Sequence, residues 1–171
     1  VVLLAAVVTT AVDKLRAGTP GELWWACHVA SAALAAATLL RWDRAADGAG
    51  LLLLAVGVPG WLVELAAHGA TRPASTAEHL VGPLVALASW RRGGLARTAV
   101  PEAIALWSAC ALGARACTDP ALNVNLTAAP FDGWPPGTPT AVSFAGSTVA
   151  AAALAWIVDR GVAGRFGRRP G

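Results

Sequence analysis

LLLLAVGVPGWLVELAAHGATRPASTAEHLVGPLVALASWRR, residues 51–92, holds two apolar runs parted by a few polar residues and closed by two arginines. The first run reaches His68 and the second starts near Ser75. Both read as helices. Ser75-Thr76-Ala77-Glu78 has the spacing of a capping box at the start of the second. Pro59, flanked by Gly57 and Gly60, is expected to kink the first. In hydrocarbon such a break is tolerated where neighbours or water satisfy the freed carbonyl.

Composition decides what surrounds these helices. The chain has 171 residues, of which 56% are hydrophobic and 13% charged, with a mean hydropathy of +0.58. Soluble domains carry about a quarter charged residues, so lipid is the expected solvent. Met and Tyr are absent, and the richness in Ala, Arg and Gly fits a GC-rich bacterial genome. A bacterial cytoplasmic membrane is the expected location.

Outward from residues 51–92 the same pattern repeats. Six apolar runs cover residues 1–12, 21–40, 51–68, 75–90, 99–117 and 140–158. The first is too short to cross a core of about 30 Å at about 1.5 Å per residue, so a missing or processed N-terminus is expected. Thr19-Pro20-Gly21-Glu22 offers a Thr cap, Pro at the first helical position and Glu at the third.

Basic residues then set the orientation. Arg41, Arg44, Arg91, Arg92, Arg97, Arg160, Arg165, Arg168 and Arg169 follow the second, fourth and sixth runs. Only Lys14, Arg16, Arg72 and Arg115 lie at the other ends. The alternation predicts one all-α transmembrane domain over residues 1–171, a polytopic bundle of about six helices, N-in and C-in. The net charge of +3 and pI near 9.2 therefore point to the bilayer and not to nucleic acid. Residues 159–171 are expected to be a basic cytoplasmic tail. The stretch 118–140, rich in Pro, Asp, Asn and Gly, becomes an outer loop, with Phe131 and Trp134 suited to the membrane interface.

With that orientation, His28, His68 and His79 all fall in the outer half of the bilayer, with Glu64, Glu78, Arg115, Cys117, Asn123 and Asn125. The inner half is expected to hold almost no ionisable group besides Glu102. Several of these have plain structural explanations. Glu78 reads best as a helix cap, His68 suits a helix C-terminus, Arg115 can snorkel, and Asn123 and Asn125 can build turns. Glu64 and His28 fit no helix-end argument. A charged residue at the centre of a span costs roughly 2.5–3.5 kcal/mol, and Glu64 lies four residues before His68, on one helical face.

Glu64, His68 and His28 are therefore the candidate catalytic residues, and His79, Asn123, Asn125 and Trp134 the candidate substrate contacts. His28, His68, His79 and Glu64 also offer a ligand set for a divalent zinc, iron or copper ion, although no H-E-x-x-H anchors it. The expected partners are the lipid bilayer, with a lipid-like substrate or other membrane subunits. Four functions compete: a metal- or lipid-binding embedded enzyme, nucleophilic catalysis by Cys27, Ser143 or Ser147, a small transporter or proton relay beside Pro59, and a non-catalytic scaffold. Cys27, Cys110 and Cys117 match no metal or haem spacing, and a Cys27–Cys117 pairing is left open.

Overall fold

The computed structural model describes residues 1–69, 73–119, 124–126 and 140–169. These residues are all helical apart from connecting turns and one isolated bridge. The helices are α1 (Val2–Arg16), α2 (Ala26–Leu40), α3 (Asp43–Leu52), α4 (Val58–His68), α5 (Pro73–Gly93), α6 (Ala99–Cys117) and α7 (Thr140–Phe166). A π-helical turn, Leu53–Gly57, joins α3 to α4 without interruption, so the described residues form six rods.

The π turn answers the expectation of a break at Pro59. Proline has no N–H, and its ring collides with the carbonyl four residues back. The chain widens the turn just ahead of it: the Val58 N–H bonds Leu53 O, five residues back. Pro83 lies inside α5 in the same way and offers no N–H to the His79 carbonyl. The two interruptions meet. A Cβ on Gly82 would sit 2.3 Å from Leu53 Cδ2, so glycine lets Leu53 of the π turn lie against α5 without shifting its side chain.

Contacts between helix ends fix their directions. His28, early in α2, meets Glu78, early in α5, while Trp61 of α4 stacks on His79 and Trp24 covers Gly113, late in α6. Lys14, at the end of α1, pairs with Glu22 beside them. This is the histidine end. At the opposite end Asp47 of α3 meets Trp90 of α5 and Ala96 before α6, and Arg169 after α7. This is the arginine end. Successive rods thus alternate in direction.

Three boundaries differ from those expected. The α3 helix starts at Asp43, because Arg44-Ala45-Ala46 propagate a helix and an acidic first turn suits its dipole. The expected cap at Thr19 instead opens a 3-10 helix, Pro20–Trp24, that ends at Trp25 before α2 begins. The expected tail is helical as far as Phe166, where Gly167 at φ 80° ends α7 and bonds Ala163 O.

The interior is built of small residues. Ala30, Ala49, Ala86, Ala99, Ala103, Ala111 and Ala114 are buried, with Leu34, Leu51, Leu52, Leu53, Trp90 and Trp107 filling the gaps. Large apolar residues face outwards instead, among them Leu62, Val63, Leu80, Leu84, Val149, Leu154 and Ile157. Two helices, Asp43–Ala67 and Ala141–Phe166, are long and apolar enough to cross a membrane. Only 17% of the apolar window of the second is buried, whereas the core helix of a soluble protein would be mostly covered.

Candidate functional site

The α2 helix can begin at Ala26 because Trp25 turns out of the helical region, with ψ 131°. That start carries His28 into the bundle, where it is 9% exposed. Its Nδ1 lies 2.7 Å from Oε2 of Glu78, which is 1% exposed. The second carboxylate oxygen, Oε1, is buried and has no hydrogen-bond partner among the described residues. His79 turns its Nδ1 to the Ser75 carbonyl at 2.7 Å. A carbonyl only accepts, so Nδ1 carries the proton and Nε2 is the basic nitrogen of the neutral ring. The Trp61 ring stacks on His79 at 5.7 Å and 11°, and His28 meets His79 edge-on at 6.3 Å.

Glu78 thus plays a different part from the one expected. It does not cap α5, which begins five residues earlier at Pro73. It is also the carboxylate that pairs with His28, whereas Glu64 stands out in the sequence for its place one turn before His68. Glu64 lies exposed on α4. It stands one turn beyond Trp61 on the same side of the rod, so its charge is felt at His79 and Cys27 while its side chain stays in the open.

The remaining candidates divide by position. His68 is the last residue of α4, with Gly69 in the left-handed region behind it, and its side chain lies outside the described structure. Asn123 and Trp134 lie outside the described residues altogether, as does most of the expected outer loop. Asn125 is 2% exposed, at φ 57°. Its Oδ1 accepts from Ala26 N–H at 2.7 Å, and its Nδ2 donates to Trp24 O at 2.8 Å. It therefore caps α2 from 99 residues away. Both functions of its amide are occupied by backbone.

Among the described residues no group of three or more His, Cys, Asp or Glu stands close enough to hold a metal ion. His28 and His79 instead direct their Nδ1 atoms at Glu78 and at Ser75. All three cysteines are free thiols, including Cys27 and Cys117. Cys27 lies against the π turn, where a Cβ on Gly57 would come within 3.2 Å of its Cβ.

The arginine end holds a second polar cluster, built on two acids, Asp47 and Asp159, that the sequence reading did not single out. Asp47 is fully buried. Its Oδ1 accepts from Trp90 Nε1 at 2.9 Å and lies 3.4 Å from Arg169 Nη2, and its Oδ2 accepts from Ala96 N–H at 2.8 Å. Asp159, 3% exposed, takes both arms of Arg168 at 2.7 and 2.5 Å. Those hydrogen bonds raise the Arg168 pKa further above its ordinary value. Leu95 bonds the backbone on either side of Arg168, accepting from Arg169 N–H and donating to Gly167 O. The acids escaped notice because Asp47 seemed part of a loop and Asp159 part of a tail. Four residues separate Asp43 from Asp47, one helical turn, and that spacing was the available signal.

No family model matches this chain, and no curated protein or solved structure matches it either. Function must be argued from the geometry.

Proposed function

We propose that this chain is a multi-pass integral membrane protein whose buried His28–Glu78 pair exchanges a proton in the outer half of the bilayer. The six rods would be six spans, with the arginine end in the cytoplasm, N-in and C-in. The alternating helix directions support this, because they gather the basic residues after the second, fourth and sixth runs at one end. The outward-facing Leu, Val and Ile support it as well, since soluble monomers rarely expose such surface.

One observation carries the functional reading: a histidine and a carboxylate share a hydrogen bond at 2.7 Å, both buried, with Glu78 Oε1 unpartnered among the described residues. An ionisable pair inside a span is costly and marks a pathway or a site. The chemistry is a single transfer. With Glu78 protonated, its O–H donates to neutral His28 Nδ1. With the proton moved to His28, the imidazolium N–H donates to the carboxylate. Oε1 is the face at which water, a proton or a polar ligand joins the pair. The π turn and Pro83 lie next to this cluster, and such interruptions recur where membrane helices bind and release ions.

The test is infrared spectroscopy with proton-flux measurement on proteoliposomes. A carboxyl band that titrates in the wild type should vanish in Glu78→Gln and persist in Glu64→Gln. Dye-reported proton movement should fall with it. If no carboxyl band titrates, and flux matches that of empty vesicles, the relay is rejected and the pair is a structural tie in a scaffold.

A further inference from the structure

Away from the histidine end, the outer face between α5 and α7 carries a groove of about 730 Å³. This is within the range of about 300–1,000 Å³ usual for small-molecule sites. Leu84, Leu87, Ala88 and Arg91 of α5 and Arg165 and Phe166 of α7 line it. Leu84, Leu87, Ala88 and Arg91 follow the three- and four-residue spacing of a single helix face. From Leu84 to Arg91 that face rises about 10 Å. An apolar trough therefore leads to a pair of guanidinium groups.

These two arginines differ from the pair that follows α7. Arg168 and Arg169 are matched by Asp159, Asp43 and Asp47. Arg91 and Arg165 have no ion-pair or hydrogen-bond partner among the described residues, and both are exposed. Two exposed guanidinium groups beside an apolar trough suit a phosphate, which arginine takes in bidentate fashion. Basic pockets between helices on the cytoplasmic side are the form in which anionic headgroups are recognised.

We propose that this groove holds an anionic phospholipid of the inner leaflet, its phosphate on Arg91 and Arg165 and an acyl chain along Leu84, Leu87 and Phe166. The site rests on the membrane reading but not on the His28–Glu78 relay. The lipid would fill the gap between α5 and α7 and tie the two helices together.

Native mass spectrometry of the detergent-purified chain tests it, using phosphatidylglycerol and phosphatidylcholine with the same acyl chains. One phosphatidylglycerol should stay bound per chain, in preference to phosphatidylcholine. Arg91→Gln with Arg165→Gln should weaken its retention roughly 30-fold, given the usual contribution of two basic residues at an anionic surface. Arg44→Gln with Arg97→Gln removes the same charge at the same end and should leave retention unchanged. Ala88→Trp fills the trough, keeps both arginines and should expel the lipid. Equal retention of the two lipids overturns the proposal, as do equal losses in both double variants or displacement by inorganic phosphate. Alkaline carbonate extraction separates the two levels of the argument: a chain released by carbonate is not membrane-embedded, and the lipid site falls with that reading. A chain that resists carbonate but shows no lipid preference loses the site alone.

Discussion

His28 and Glu78 stand fifty positions apart in the chain, yet their side chains meet at 2.7 Å with almost no access to solvent. The contact joins α2 to α5 at the level of the π turn. Removing one partner leaves the other buried without a match, which costs roughly 3–5 kcal/mol for an ion pair. Thermal unfolding in detergent should therefore show large losses for His28→Leu and for Glu78→Leu. The double variant should recover most of that stability, because two apolar groups leave nothing unsatisfied. Strictly additive losses would show that the pair is not energetically coupled.

Gly82 gives a steric prediction. Gly82→Ala drives a methyl group to 2.3 Å from Leu53 Cδ2, so one side must move. Overpacking of this kind costs about 1–3 kcal/mol. Shortening the neighbour with Leu53→Ala in the same chain should restore part of the loss. A fully stable Gly82→Ala variant would mean that the Leu53 side chain turns aside freely and that the close approach at Gly82 carries no stability.

Asp47 holds three groups at once. Asp47→Ala should strand the Trp90 indole N–H and the Ala96 backbone N–H in the interior, each at about 1–3 kcal/mol. Trp90→Phe in that background should regain the share owed to the indole. Unfolding midpoints for the four chains of this cycle give the answer. No gain on adding Trp90→Phe would remove the Trp90 bond from the account.

Asn125→Ala should cost about 0.5–2 kcal/mol, the usual range for losing a helix N-cap. The loss should be local. Amide exchange should quicken at Ala26, whose N–H is freed, while Trp90 and its surroundings stay protected. Unchanged exchange at Ala26 would rule out the long-range cap.

Native cysteines test the orientation. Cys117 is exposed at the histidine end, and Cys110 is buried about two turns deeper along α6. A membrane-impermeant maleimide added to intact cells should label Cys117 and spare Cys110. Labelling of Cys117 only after the membrane is opened would reverse the proposed topology.

Much of the helix layout could be read directly. The α6 helix spans residues 99–117 as expected, because Arg97 and the polar residues after Cys117 mark both ends. Elsewhere apolar runs gave the helices but not their true ends: Asp43–Gly50 is too polar to read as part of a span, yet it is helical and buried from Ala46 onward. The site was half legible. Histidines and glutamates beside apolar runs pointed to the end of the bundle where His28, Glu78 and His79 come together. Which glutamate faces His28 depends on how each rod is turned about its axis, and local spacing does not carry that information. Asn125 was beyond reach for a different reason: its partners at Trp24 and Ala26 are distant in the chain, and no short motif encodes such a cap.

The bridge between Leu95 and Arg168 bears on biosynthesis. Asp47 is made 122 positions before Arg169. At about 5–20 residues per second, that interval lasts roughly 6 to 25 seconds. During it the Asp47 carboxylate has the indole and amide of the α5–α6 region at most, and no cation from beyond α7. The guanidinium groups arrive only after α7 has been synthesised and its end has folded back across Leu95. The nascent chain thus carries an unmatched acid at this end of its bundle until the segment following α7 arrives to neutralise it.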